Sequence, residues 1–220
     1  MKKFKILLVV LLSVLVLSGC GKEPTFADIS SAFDNLDTAT SYSIYNVYQI
    51  DENDSIYDEK TLQLGTFQDK KIAKLETESK RLNTFEDAGD GKFKITNTTS
   101  FYYENQIGQY VDGVLTWRAG LIEELTNDMN NTTYNLDKAY FSDYSIVENA
   151  GVLLFKGNVK NDSINQFFGK TMENVNELKV TIQVSKEDKL PLSLAIEYKL
   201  DGKPCESIIE YGYQVNEISF

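Results

Sequence analysis

Few side chains in this chain are equipped to do chemistry on a substrate. Histidine is absent, so Ser-His-Asp triads, imidazole general bases and His-ligated zinc are excluded together. The cysteines are Cys20 and Cys205. Cys205 falls on the apolar parity of a strand, with Lys203 as its one basic neighbour in sequence, which is the setting of a packing thiol rather than a nucleophile. Glu123 and Glu124 are adjacent, and neighbours on a helix point about 100° apart, so they read as a solvent face rather than a catalytic pair. The stretch DENDSIYDE (51–59) gathers carboxylates. However, Ile56 stands where a calcium loop needs glycine, and Leu62 where it needs a bidentate glutamate. It reads as a solvated acidic hairpin tip. No catalytic residue, metal ligand or cofactor is expected, and the chain reads as a non-enzyme.

Cys20 has a more specific setting. Lys2, Lys3 and Lys5 precede an apolar run from Ile6 to Leu17, interrupted by Ser13. That run is too short to cross roughly 30 Å of hydrocarbon and fits the apolar region of a secretory signal. Its end, Leu17-Ser18-Gly19-Cys20, resembles the lipobox of bacterial lipoproteins. The resemblance implies a diacylglycerol on the Cys20 sulfur and cleavage that leaves Cys20 as the new N-terminus. Acyl chains contribute about 0.8 kcal/mol per buried CH₂, so two of them anchor stably. The expected organisation is a signal peptide over 1–19, a lipidated tether over 20–24 and a single domain over 25–220. The expected location is the extracytoplasmic face of the cell membrane of a Gram-positive bacterium. The competing reading is an uncleaved anchor or a plain secreted protein. With Cys20 committed, Cys205 has no disulfide partner within the chain.

The formal net charge is −11, and losing the leader's lysines makes the body more acidic. That argues against nucleic acid and against electrostatic attraction to anionic lipid. Thirteen tyrosines and twelve phenylalanines suit a β-rich extracytoplasmic domain.

Elements follow from periodicity. A first helix starts at Thr25, where Thr25 and Asp28 form a variant capping box and Phe26, Ile29, Phe33 and Leu36 share a stripe. SYSIYNVYQI (41–50) alternates, with Asn46 breaking its apolar parity. Strands are expected over 60–68, 71–82 and 93–103. Turns at Glu104-Asn105 and Asp112-Gly113 follow. A second helix is expected over 119–130, with Leu121, Ile122, Leu125 and Met129 inward. Strands near 143–148 and 151–159 lead to a third helix from Asp162, with Ile164, Phe167, Phe168, Met172 and Val175 on its stripe. Three strands close the chain. Leu178, Val180, Ile182 and Val184 alternate with polar residues, and Leu194, Ile196 and Tyr198 do so after Pro191. Cys205, Ile209 and Tyr211 continue the pattern after Asp201-Gly202.

The predicted fold class is α+β: a large curved antiparallel sheet, in effect a half-open β-barrel, wrapped around about three short helices. Helices that few leave part of the apolar face uncovered, and a residual apolar cavity is the expected consequence. The element order and the closing VTIQVSKEDKLPLSLAIEYKLDGKP resemble the LolA/LppX/LprG-type lipoproteins. The resemblance implies a cavity that carries lipids or lipidated molecules, and it brings no catalytic residues. Tyr102, Tyr110, Trp117, Leu194, Ile196 and Tyr211 are the expected cavity-lining residues; for the aromatic ones ordinary sheet packing is the alternative. The expected function is a membrane-anchored protein that binds a hydrophobic ligand, with the membrane as partner through Cys20. No protein partner is identified. A non-catalytic interaction or sensor-accessory module at the cell surface is the alternative.

Overall fold

The computed structural model describes residues 23–38, 41–49, 55–82, 93–130, 134–214 and 216–220. The leader, the lipobox with Cys20, the turn after the first strand and the loop over 83–91 lie outside these residues. In chain order the elements are α1 (Phe26–Ser30), β1 (Ser41–Gln49), β2 (Ser55–Phe67), β3 (Lys70–Leu82), β4 (Phe93–Tyr103), β5 (Gln106–Val111) and β6 (Val114–Ala119). They continue with α2 (Glu123–Asn130), β7 (Phe141–Asn149), β8 (Val152–Val159), α3 (Ile164–Phe168), β9 (Val175–Ser185), β10 (Pro191–Leu200), β11 (Lys203–Gly212) and β12 (Asn216–Glu217).

One antiparallel sheet runs β6-β5-β4-β3-β2-β1-β11-β10-β9-β8-β7. The chain's two halves join where β1 pairs with β11, from Ser41 opposite Gly212 to Tyr48 opposite Cys205. The described strands β6 and β7 end the path without pairing to each other, so the sheet stays open. Laid flat, eleven strands would span about 48 Å at ~4.8 Å per strand. Yet Ile107 of β5 and Phe141 of β7 belong to one buried cluster with Leu62, Phe155 and Ile196. Only a sheet that curls around its helices brings those residues together. The fold is therefore α+β with a half-open, curved sheet, as the alternation predicted.

Local chemistry explains the elements. The Asp28 carboxylate accepts from the Thr25 backbone N–H at 2.7 Å and from its hydroxyl at 2.8 Å, closing the N-terminus of α1. After Ser30 the helix tightens to 3₁₀ geometry through Thr38. Ile29 is fully buried, and Phe26 packs edge-on against Phe155 at 5.6 Å. The Glu104-Asn105 and Asp112-Gly113 turns all take positive φ, as two-residue hairpins require. In the closing meander Leu178, Val180, Ile182, Val184, Leu194 and Ile196 are all buried.

Three boundaries differ from expectation. Strand β2 begins at Ser55, so half of the supposed acidic tip is sheet: Asp58 and Glu59 pair across to Ser79 and Glu78. Helix α2 starts at Glu123, because Glu124 folds back to accept from the Leu121 N–H and from Arg118. Leu121 consequently stays 61% exposed instead of facing inward. Helix α3 stops at Phe168, where Gly169 takes a left-handed cap (φ 63). Met172 and Val175 then reach the core from outside the helix.

The short β12 runs parallel to β2 beside Gly65 and Thr66, in the slot left beyond the start of β1. It carries Ile218 to the convex face, where Ile218 is buried with Ile72 and Phe101.

Candidate functional site

The concave face is covered unevenly. Over β7–β11 it is filled by aromatic packing: Phe155 lies 5.0 Å from Phe141 and 5.7 Å from Tyr144, and Phe167 is fully buried. Segment 134–137 crosses this side without regular structure. It is tied to α3 where the Asn135 N–H donates to the Phe167 carbonyl and its side-chain amide donates to the Gln166 carbonyl, both at 2.8 Å. Asparagine suits this position because it supplies donors from backbone and side chain together. The same clamp stacks Tyr134 on Phe167 at 5.4 Å.

A cleft of ≈ 540 Å³ opens between this segment and α1 with its 3₁₀ extension. Phe33, Tyr134, Leu136 and Tyr140 line it together with the polar Ser30, Ser31, Asp34, Asn135 and Asp137, so its wall is mixed. All four apolar residues also pack on the main core, so the floor of the cleft is the outer layer of that core.

Beneath Tyr134 the concave face turns polar. Its hydroxyl is directed at Ser207. Ser207 is only 5% exposed. Neighbouring groups stay neutral. Burial pushes the Tyr134 phenol up, opposed by Ser207. Burial first, then Cys205 and Tyr134, push the Tyr198 phenol up to about 12. Burial likewise raises the Cys205 thiol, against the Leu200 backbone and Tyr198. Among the described residues no group of three or more His, Cys, Asp or Glu side chains is placed to hold a metal ion. The arrangement offers apolar surface, neutral hydrogen-bonding groups beneath Tyr134, and two carboxylates at the cleft wall, Asp34 and Asp137.

The six side chains expected to line a cavity do not converge. Leu194 and Ile196 are buried inside the core. Tyr102 and Tyr211 are partly buried against it from the same face, with Tyr211 6.2 Å from Phe33. Tyr110 and Trp117 lie on the convex face instead. There Tyr110 sits 6.2 Å from Phe101 and Trp117 5.2 Å from Phe220. The reason is parity: Ile107 of β5 points inward, so Gly108 and Tyr110 point to the opposite face, and Trp117, which pairs with Gly108, points there with them. Tyr134 and Ser207 were not anticipated. Asn46 and Ser207 are both polar breaks in apolar alternations, and the register makes them direct neighbours.

The chain has structural similarity to LprF from Mycobacterium bovis, at 10% sequence identity and TM-score 0.42, covering 88% of this chain and 95% of that one. It is also similar to the Mycobacterium tuberculosis lipoprotein LppX, at 12% identity and TM-score 0.35, covering 88% and 97%. A DUF1329 family protein from Desulfovibrio piger matches at 10% identity and TM-score 0.26, covering 89% and 93%. No protein-family model and no curated protein matches the chain.

Proposed function

We propose that this protein is an extracytoplasmic lipoprotein, tethered through lipidated Cys20, whose single domain over 25–220 binds a hydrophobic ligand on the concave face of its sheet. The observation that supports this best is the cleft beside Tyr134, because Phe33, Tyr134, Leu136 and Tyr140, set among polar neighbours in its wall, are the exposed margin of the core itself. An acyl chain laid there would extend the core without disturbing it. The tether is short: Glu23 is already described, three residues after Cys20, which at most ~3.6 Å per residue keeps α1 close to the bilayer. The reading assigns binding and no catalysis.

The test is native mass spectrometry of the chain from residue 20 onward, carrying Cys20→Ala and expressed in bacteria. A co-purifying adduct that organic extraction removes and identifies as lipid is expected. A single mass equal to the bare polypeptide, unchanged after incubation with lipid vesicles, contradicts the reading.

One observation favours a second reading, an interaction module working through the convex face. Tyr110, Trp117 and Phe220 are 49%, 37% and 38% exposed on that side, a grouping of aromatic surface typical of contact sites.

A further inference from the structure

We propose that the hydrophobic ligand is a cationic amphiphile, whose alkyl chain lies on the floor of the cleft beside Tyr134 and whose positively charged nitrogen is held at the rim by the carboxylates of Asp34 and Asp137. This rests on the ligand-binding reading above and names the chemical class of the ligand.

The polarity of the cleft runs from floor to rim. On one wall, the 3₁₀ segment after α1 sets half-buried Phe33 beside exposed Asp34. On the other wall, burial alternates along 134–137. Tyr134 and Leu136 are half-buried against the core, whereas Asn135 and Asp137 are exposed. Tyr140, also half-buried, completes the floor. Each wall thus contributes apolar surface below and one carboxylate above. The Asp137 carboxylate is fixed in place, because its Oδ1 accepts from the Ala139 N–H at 2.8 Å.

Charge selects the head. Among the described residues that line the cleft, the charged side chains are both carboxylates, and neither lysine nor arginine is among them. The neighbouring cations are turned to other partners: the Lys138 Nζ sits over the Tyr144 ring at 5.7 Å, and the Lys160 Nζ donates to the Ala139 carbonyl at 2.8 Å. The net charge of −11 adds to the bias. An anionic head would be repelled by both aspartates, and an uncharged one would gain only hydrogen bonds from them. A cation gains from the carboxylates and, over an aromatic face, from the ring as well; Phe33, Tyr134 and Tyr140 supply rings. Both carboxylates are exposed, so each adds little to affinity alone. The floor therefore supplies most of the binding, and the rim supplies the discrimination between heads.

The experiment uses the Cys20→Ala chain from residue 20 and three fluorescent probes that share a pyrene-decyl tail and are kept below their micellar concentration. Their heads are a trimethylammonium, a monoacylglycerol and a carboxylate. The parent chain is expected to bind the ammonium about tenfold tighter than the monoacylglycerol, and the carboxylate more weakly than either. In about 1 M salt, where the screening length falls to about 3 Å, the ammonium's margin should narrow. Asp34→Asn combined with Asp137→Asn should abolish the margin and leave monoacylglycerol affinity unchanged; asparagine preserves the cap on Ala139. Glu173→Gln combined with Glu187→Gln removes the same charge from exposed positions outside the cleft, and should keep the margin. Equal binding of ammonium and monoacylglycerol, a margin indifferent to salt, one that survives loss of both aspartates, or one that falls equally in the control pair overturns the proposal while leaving an apolar site intact. Failure of all three probes to bind overturns the ligand-binding reading, and this proposal with it.

Discussion

Phe155 is the place to test whether α1 is packed into the curl of the sheet. It is fully buried, and its ring meets Phe26 of α1 at 5.6 Å, Phe141 at 5.0 Å and Tyr144 at 5.7 Å. Phe155→Ala removes a ring that no neighbour can replace, because Gly157 leaves no side chain to fill the space. A Cβ at Gly157 would already sit 2.7 Å from Phe141 and 2.8 Å from Phe155. Losing a buried phenylalanine costs about 3–5 kcal/mol. For a chain of this size each kcal/mol moves the melting temperature about 2–4 °C, so a fall on the order of 10 °C is expected. Phe26→Ala removes a half-buried ring from the other side of the same contact and should cost less. If the two rings interact, the double variant should be less destabilised than the sum of the singles by about 1 kcal/mol. Urea denaturation followed by far-ultraviolet circular dichroism measures all three. Additive costs, or a Phe155→Ala cost below about 1 kcal/mol, would refute the packing of α1 against β8.

Three further outcomes are expected. Gly108→Ala would put a Cβ 2.9 Å from the Trp117 ring; since Trp117 is the only tryptophan, displacement of the ring should appear as red-shifted emission, with about 1–3 kcal/mol lost. Tyr198 is held up to about 12 by burial, so the unfolded chain releases this proton first and stability falls as pH rises from about 10 to 12. Urea midpoints at pH 9 and 11 should therefore converge in part in Tyr198→Phe, and an unchanged gap counts against the burial of that phenol. Cys20→Ser should shift the protein from the membrane to the soluble fraction and abolish incorporation of labelled palmitate; retention of both would show that the lipobox reading is mistaken.

Much of the fold was legible because burial on one face imposes a period of two. Leu178 to Val184 states that period without interruption, and those residues are buried as expected. Strand β4 matches its expected limits because Phe93–Tyr103 is rich in threonine and aromatic residues and contains no glycine or proline. Boundaries set by single hydrogen bonds were not legible. The fold-back of Glu124 onto Leu121 costs α2 its first turn, and the helical stripe contains no sign of it.

The site was harder to read because alternation fixes parity within a strand but not which parity faces inward. Tyr102 and Trp117 belong to neighbouring hairpins, yet one faces the core and the other the convex surface. The convex cluster also depends on β12 delivering Phe220 to within 4.8 Å of Phe67, a contact between residues 153 positions apart.

The account's central claim is that the concave face takes the ligand. A photoactivatable monoacylglycerol carrying a diazirine near the end of its chain, cross-linked to the wild-type protein and mapped by peptide mass spectrometry, tests it directly. Adducts on Phe33, Tyr134, Leu136 or Tyr140, abolished by excess unlabelled lipid, are predicted. Adducts confined to Trp117, Tyr110 or Phe220 on the convex face would contradict it.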